Sequence, residues 1–323
     1  MNKPIAIIAG EPNSISSEII FKSWKYRKKS LFRPFFIIGS YDLLNKQKKK
    51  LKFSIKLKKI DNIKKMNFSN KDSLPVFDIK YSQKKPFEKM STKSNNYIFS
   101  CFNHAIKLAE TKKIIGFINC PIAKEFLFNK KHQGITEFLA KKSKKKVNTV
   151  MLIFNKKFSV SPITTHIPLK KVSGEIKEYK IIKNIKIIDS FYKKFLKKKP
   201  CFGVLGLNPH NFSTFKTNDE KKIIIKAIKK ISKNKIRVFG PMSPDTSFAT
   251  LKKNKFDVLI GMYHDQVLTT FKALYNFNAI NITLGLPYIR ISPDHGVAEN
   301  IVGKKIADPS SLVESIKFFN KII

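Results

Sequence analysis

Three histidines in this chain share one setting. His166 (in ITTHIP), His210 (in LNPH) and His264 (in MYHDQ) each follow a short apolar run of strand length. Neutral imidazole is a common ligand of divalent transition metals. Three imidazoles delivered from three strand ends would hold one ion and leave positions open for a substrate. The plain alternative is three loop histidines with unrelated partners, and single histidines so far apart do not decide the matter as His-Glu-x-x-His would. Lys272, Asn281 and Arg290 are polar positions set among apolar neighbours. An arginine closing a strand can grip a carboxylate or phosphate through two parallel hydrogen bonds; surface ion pairing is the competing use.

The elements that must position these groups read as α/β. Val258-Leu259-Ile260, bounded by Gly261, is too short for a helix and has the pattern of a buried strand. A second apolar strand covers 279–284, with Arg290, Asp294 and His295 beyond it. Ligands of open α/β sheets sit at the carboxyl ends of strands, so the stretch 257–309 is expected to form the floor of a site. Upstream, strands are expected at 4–9, 34–40, 53–60, 114–120, 147–154, 158–165, 202–207 and 235–239. Helices are expected at 16–24, 41–51, 94–113, 175–198 and 219–233. Thr136 is placed as the cap of a short helix. Asp308 is placed as the cap of the last helix, with Pro309 at its first position. Lys124, after the strand 114–120, either meets an anionic ligand or is an exposed lysine in a helical first turn. His104 reads as a structural histidine and His132 as a solvated one.

Composition narrows the classes. Hydrophobic residues make up 42% of 323 residues, enough for two α/β lobes with a large core. No apolar run is long enough to span a bilayer, and the N-terminal one is too short for a secretory signal. Cys101, Cys120 and Cys201 have no ligand-like spacing and are expected as buried thiols in a cytoplasmic protein. The formal charge of +43 invites a nucleic-acid reading, but only Arg27, Arg33, Arg237 and Arg290 among 65 basic residues are arginine, and the lysines spread over every expected helix. Nucleic-acid readers gather charge on one face and favour arginine for base contacts, so nucleic acid is not the expected partner. The charge would still draw in phosphorylated substrates and dinucleotides. No G-x-G-x-x-G, P-loop or nucleophile elbow occurs.

Longer segments then become familiar. GEP at 10–12, PIAKE at 121–125, GITEFLA at 134–140, TTHIPL at 164–169, LGLNPH at 205–210, GPMSPDTSF at 240–248, MYHDQ at 262–266 and NITLGLPYIRISPDHG at 281–296 occur in order across nearly the whole chain. Together they resemble the 4-hydroxythreonine-4-phosphate dehydrogenase family of pyridoxal phosphate biosynthesis. The resemblance implies a two-lobed α/β/α sandwich of the isocitrate/isopropylmalate dehydrogenase type, with the active site in the inter-lobe cleft of a homodimer. It implies an outer lobe of residues 1–125 plus 296–323 and a central lobe of 126–295 carrying the metal site and dimer contacts. His166, His210 and His264 match the metal ligands, shared across the dimer interface, for one divalent ion (Zn, Co, Mn or Mg). Ile135, Thr136, Lys272, Asn281 and Arg290 match substrate-binding positions, and Asp245 a carboxylate near the site. Lys272 or Asp245 is the implied acid–base group. The segment 295–309, with His295, Gly296, Ala298 and Asp308, resembles the nucleotide loop of the wider group, for NAD or alternatively NADP.

The implied reaction oxidises a secondary alcohol with hydride transfer to NAD and then loses CO2, giving 3-amino-2-oxopropyl phosphate. A metal in that place acts as a Lewis acid toward the substrate hydroxyl. Three departures stand out. Ile135 replaces an expected substrate-contacting histidine, Ser14 and Ser16 replace glycines, and the loop 211–217 lacks its usual glycines. Ile135 favours a related dehydrogenase acting on another phosphorylated or carboxylated hydroxy acid; the lost glycines and the charge would suit a non-catalytic basic binding protein.

Overall fold

The structure, a computed structural model, describes residues 3–26, 33–63, 72–128, 134–143, 147–209, 219–251, 255–276 and 278–322. They form two compact units, one of residues 1–146 with 286–323 and one of 147–285.

The first unit is built on six parallel strands: β1 (Ile5–Ile8), β2 (Phe35–Gly39), β3 (Lys56–Ile60), β4 (Ser73–Asp78), β5 (Gly116–Asn119) and, late in the chain, β12 (Ile289–Pro293). Their order is β3-β4-β2-β1-β5-β12. The central strands β1, β2 and β5 are buried along their whole length, which is why they read as unbroken apolar runs. Edge strand β3 instead exposes Lys56 and Lys58 around buried Leu57, and such lysines discourage pairing with another chain. Helix Asn95–Glu110 packs Ile98, Cys101, Phe102 and Ala105 onto Ala6, Ile8, Phe36 and Ile38. Helix Ile135–Lys142 adds Phe138 and Leu139 to the same core. That packing carries the first unit to residue 146 instead of the expected 125. The pairing of β12 with β5 brings the chain back at 286, not 296.

The second unit holds β6 (Val150–Phe154), β7 (Ser159–Thr164), β8 (Cys201–Leu205), β9 (Arg237–Met242), β10 (Val258–Tyr263) and β11 (Ile280–Leu284). They run in the order β11-β6-β7-β10-β8-β9. β6 pairs antiparallel with β11 and with β7, the latter closing a hairpin, while β7, β10, β8 and β9 are parallel. Met151, Phe158, Val160, Leu205, Leu259, Val267 and Phe271 form its core.

Three expectations about the elements shift. The long helix at 175–198 is two helices, Val172–Glu175 and Glu178–Phe195, separated by extended Ile176 and Lys177. Gly134, not Thr136, caps helix Ile135–Lys142. Pro309 occupies the cap of the last helix, Ser310–Lys321, one place later than expected. Helix His264–Tyr275 and strand β12 were not anticipated. In the helix only Val267, Leu268 and Phe271 are buried, a thin apolar stripe interrupted by two threonines. In β12 the buried positions include Arg290 and Ser292, which erase the usual alternation.

All three cysteines are buried and unpaired with one another. Burial pushes the Cys101 thiol up to about 12 and raises those of Cys120 and Cys201 as well. Thiolate is the reactive form, so a disulfide-exchange reagent at neutral pH should titrate essentially no thiol in the native protein, and all of them once the chain is unfolded in denaturant. His104, as expected, is structural: exposed, with Nδ1 at 2.9 Å from Ser100 O and its ring against Phe77.

Candidate active site

In the second unit the sheet delivers two histidines to one place. His166 follows β7 and His264 follows β10, and these strands pair in parallel with Tyr263 opposite Thr164. Thr164 Oγ1 donates to Met262 O at 2.8 Å and laces the strand ends together. The two imidazole rings lie with centroids 5.7 Å apart, tilted by 42°. His264 Nδ1 is 2.6 Å from Asp265 Oδ1. A carboxylate there holds the proton on Nδ1 and leaves Nε2 for a ligand, the usual support of a metal-binding histidine. His210 lies outside the described residues, as do His132 and the loop 211–217. Strand β8 pairs with β10, and Gln266 ties the chain just after β8 to the end of β10: its Nε2 donates to Gly206 O at 2.8 Å while its Oε1 accepts Met262 N at 2.7 Å. Among the described residues no group of three or more His, Cys, Asp or Glu side chains is assembled. The donors present, two imidazoles with a carboxylate behind one, fit a nitrogen-preferring divalent ion.

The other positions in this unit differ in exposure. Lys272 is half-buried on helix His264–Tyr275. Asp245 is exposed in the short helix Pro244–Ser247, where its Oδ1 accepts the Thr246 N–H at 2.9 Å. Asn281, on β11, has its Oδ1 buried with no hydrogen-bond partner among the described residues. A buried acceptor without a donor is costly, and a substrate hydroxyl or ammonium would satisfy it.

In the first unit the dominant charge is Arg290, on β12 opposite Phe117 and only 3% exposed. Its Nε donates to Oδ1 of Asn119, at the end of β5, at 2.7 Å. Burial lowers the guanidinium pKa to about 10, opposed by Tyr288 and Glu137. Thr136 is half-buried, the second residue of its helix. Ile135 is 4% exposed and belongs to the apolar cluster of Phe138, Leu139 and Tyr288. The isoleucine is held as a core side chain and offers no polar contact.

The turn that departs from the glycine-rich pattern is satisfied internally. Gly10 has φ +77°, and a Cβ there would stand 2.4 Å from Pro121 O, so glycine is required. Serine is accommodated further on: Ser14 Oγ donates to Glu11 O at 2.7 Å and lies 2.8 Å from Ser16 Oγ, which reaches Pro121 O at 3.3 Å. The buried Glu11 carboxyl accepts from Asn13 N and Ser94 Oγ. Burial nonetheless raises its pKa above the usual carboxylate value.

In the segment 295–309, His295 Nδ1 is 3.1 Å from Gly296 O, and a Cβ on exposed Gly296 would meet nothing within 4 Å. Ala298 adopts left-handed backbone at φ 50°, ψ 56°, and the preceding Val297 O accepts Ile15 N at 3.3 Å. Asp308 is exposed and its Oδ1 accepts from Ser310 N and Oγ at 2.9 and 2.6 Å, a role at the start of the last helix.

Two side chains not anticipated as functional clamp the far end of this segment. Glu18, 1% exposed, accepts Ala307 N at 2.7 Å and pairs with Lys22 Nζ at 2.7 Å. Lys22 Nζ also donates to Lys305 O at 3.0 Å and Ala307 O at 2.6 Å. The signal was available as a Glu→Lys pair four apart on a helix. Lys22→Met should cost about 3 kcal/mol, because it leaves a buried carboxylate without its cation; urea unfolding monitored by circular dichroism checks this.

Two α/β units, one with imidazoles gathered at parallel strand ends and one with a buried, amide-held guanidinium, define a two-lobed α/β enzyme. The chain belongs to the PdxA family: the family described as Pyridoxal phosphate biosynthetic protein PdxA matches residues 31–319. A 4-hydroxythreonine-4-phosphate dehydrogenase of Sulfurihydrogenibium sp. is 37% identical over 318 residues, 97% of this chain and 96% of that protein. A protein of Oceanobacillus iheyensis assigned as a D-threonate 4-phosphate dehydrogenase is 32% identical over 320 residues, 97% of this chain and 96% of its own. The crystal structure of 4-hydroxythreonine-4-phosphate dehydrogenase from Klebsiella pneumoniae superposes with a TM-score of 0.84 at 28% identity, covering 98% of each chain.

Proposed function

We propose that this protein catalyses the NAD-dependent oxidation and decarboxylation of 4-hydroxythreonine 4-phosphate in the formation of pyridoxal phosphate. The observation that carries the reading is the family match over residues 31–319 together with His166 and His264 brought side by side at adjacent strand ends. His166, His264 and His210 would hold one divalent ion, whose contribution when bound is Lewis acidity at the substrate hydroxyl. Bound NAD would supply the acceptor for the hydride of the alcohol carbon, and Lys272 or Asp245 would take the hydroxyl proton. Loss of CO2 then breaks the bond to the carboxylate carbon, and a protonated group of the chain returns a proton to carbon. Arg290 supplies fixed positive charge for an anionic group of the substrate, and Asn281 and Thr136 supply polar contacts. The segment from His295 to Asp308 contributes to the nucleotide site.

The protein acts in this reading as a homodimer. Of the exposed large apolar residues among those described, Leu169, Tyr179, Phe239 and Leu274 belong to the second unit and Tyr26 and Ile306 to the first; the larger group favours a partner surface on the second unit. No described helix is long and apolar enough to cross a membrane.

One observation favours a second reading. Ile135 puts an apolar core side chain where the family resemblance expects a histidine, and a relative assigned to D-threonate 4-phosphate matches over nearly the whole chain. Comparing kcat/KM for 4-hydroxythreonine 4-phosphate and D-threonate 4-phosphate separates the two. A preference for the amino acid supports the first reading; a large preference for the threonate overturns it.

A further inference from the structure

We infer that Glu18 and Lys22 are positioning residues of the cofactor site: they hold the backbone of 305–307 and so set how tightly NAD binds. This rests on the reading that the segment 295–309 forms part of the nucleotide site. The segment has little else to hold it. From His295 to Pro309 only Ala307 is buried, and Ile306 is 64% exposed. Its regular structure is one turn of 3-10 helix, Glu299–Ile301. Ala298, Gly303 and Lys305 take left-handed backbone at φ 50°, 76° and 64°, which costs an alanine or a lysine free energy. With one small apolar anchor and two such residues, the segment keeps a single shape only where hydrogen bonds impose it.

Those bonds come from helix Ser16–Tyr26 and the turn before it. The helix is a fixed platform, with Ile19, Ile20 and Phe21 in the core. Ile15 N donates to Val297 O at 3.3 Å and holds the near end of the segment. Glu18 and Lys22, one turn apart on the same helix face, hold the far end. Glu18 Oε1 accepts Ala307 N at 2.7 Å. Lys22 Nζ uses all three of its hydrogens, on Glu18 Oε1 at 2.7 Å, Lys305 O at 3.0 Å and Ala307 O at 2.6 Å. Every one of these contacts on the segment is to backbone. The pair therefore dictates the path of the chain into Asp308 and leaves that exposed side chain outside the clamp. A segment ordered in advance binds a ligand more tightly than one that must be ordered by it.

The test uses Lys22→Met, Glu18→Ala, Glu18→Gln, Gly296→Glu and, as a control in the apolar core of the same unit, Phe36→Leu, all in the full chain. For each, kcat, the KM for NAD and for 4-hydroxythreonine 4-phosphate, and the thermal midpoint are measured. The NADH dissociation constant, read by fluorescence, needs no turnover and so survives a wrong choice of substrate. Lys22→Met and Glu18→Ala are expected to raise the NAD KM and the NADH dissociation constant about 10-fold, with kcat and the substrate KM unchanged. Glu18→Gln keeps an acceptor for Ala307 N and should recover most of what Glu18→Ala loses. Phe36→Leu should lower the thermal midpoint and leave the NAD KM at its wild-type value. If the NAD KM followed the midpoint through every variant, Phe36→Leu included, the pair would be only structural and the inference overturned. Gly296 is exposed and open to a side chain, so Gly296→Glu probes the segment itself. A wild-type NAD KM and NADH dissociation constant there overturn the reading of the segment and the inference with it. Raised values there, with wild-type values in Lys22→Met and Glu18→Ala, overturn the inference alone. Should those two variants not fold, Lys22→Gln gives Glu18 a neutral donor on a shorter side chain: a raised NADH dissociation constant supports the role, and a wild-type one overturns it.

Discussion

Replacing His264 by alanine is expected to lower NADH production by on the order of a hundred- to a thousandfold, the loss of several kcal/mol of charge stabilisation at the reacting oxygen. β7 and β10 are parallel, and Tyr263 lies opposite Thr164. The next parts of the two chains therefore leave the sheet together, and the rings of His166 and His264 come within 5.7 Å. Asp265 holds Nδ1 of His264 at 2.6 Å. Its replacement by asparagine should produce a smaller loss, about 10- to 100-fold, through weaker metal affinity. Zinc or cobalt titration followed by calorimetry reads the affinity directly. A His264→Ala protein that bound metal and turned over like wild type would remove the metal from the account. Folding is not expected to suffer, since His264 is half-exposed and opens its helix.

The second large effect is expected at Arg290. Arg290→Gln should raise the KM for the phosphorylated substrate on the order of a hundredfold or more, because it deletes a desolvated charge that an anion would pair with. The pH dependence follows from the same burial. The guanidinium pKa is depressed to about 10, so the group keeps its charge at every pH below that and loses it only as pH rises through about 10. Substrate KM should accordingly show no break attributable to Arg290 in the neutral range and should climb only in strong alkali. Steady-state kinetics across pH, in wild type and Arg290→Gln, check both statements. An unchanged KM in the variant would make Arg290 a structural arginine.

Much of this architecture was legible in the residues. Buried parallel strands such as Ile5–Ile8 and Cys201–Leu205 announce themselves as short apolar runs, and helix Asn95–Glu110 by the spacing of its inward face. What escaped were elements whose inward faces carry polar atoms. β12 buries Arg290 and Ser292, so its alternation says nothing about which side is core. Helix His264–Tyr275 has too narrow an apolar stripe to stand out between two strong strands. The histidines could be named from their shared context, but that His166 and His264 approach one another depends on the pairing of β7 with β10, between strands nearly a hundred residues apart. Asn119 and Glu18 were missed for a related reason, since each matters through one hydrogen bond to a distant part of the chain. Ile135 was readable as a departure, while its place in the apolar core was not.

The central claim is a metal- and NAD-dependent oxidation coupled to decarboxylation. Its most direct test is NADH formation from 4-hydroxythreonine 4-phosphate by protein stripped with EDTA and then given Zn, Co, Mn or Mg in turn, with released CO2 measured alongside. The account predicts no turnover after stripping, recovery with at least one ion, and equal amounts of NADH and CO2. NADH formed at the same rate with and without metal, or NADH without CO2, would contradict it.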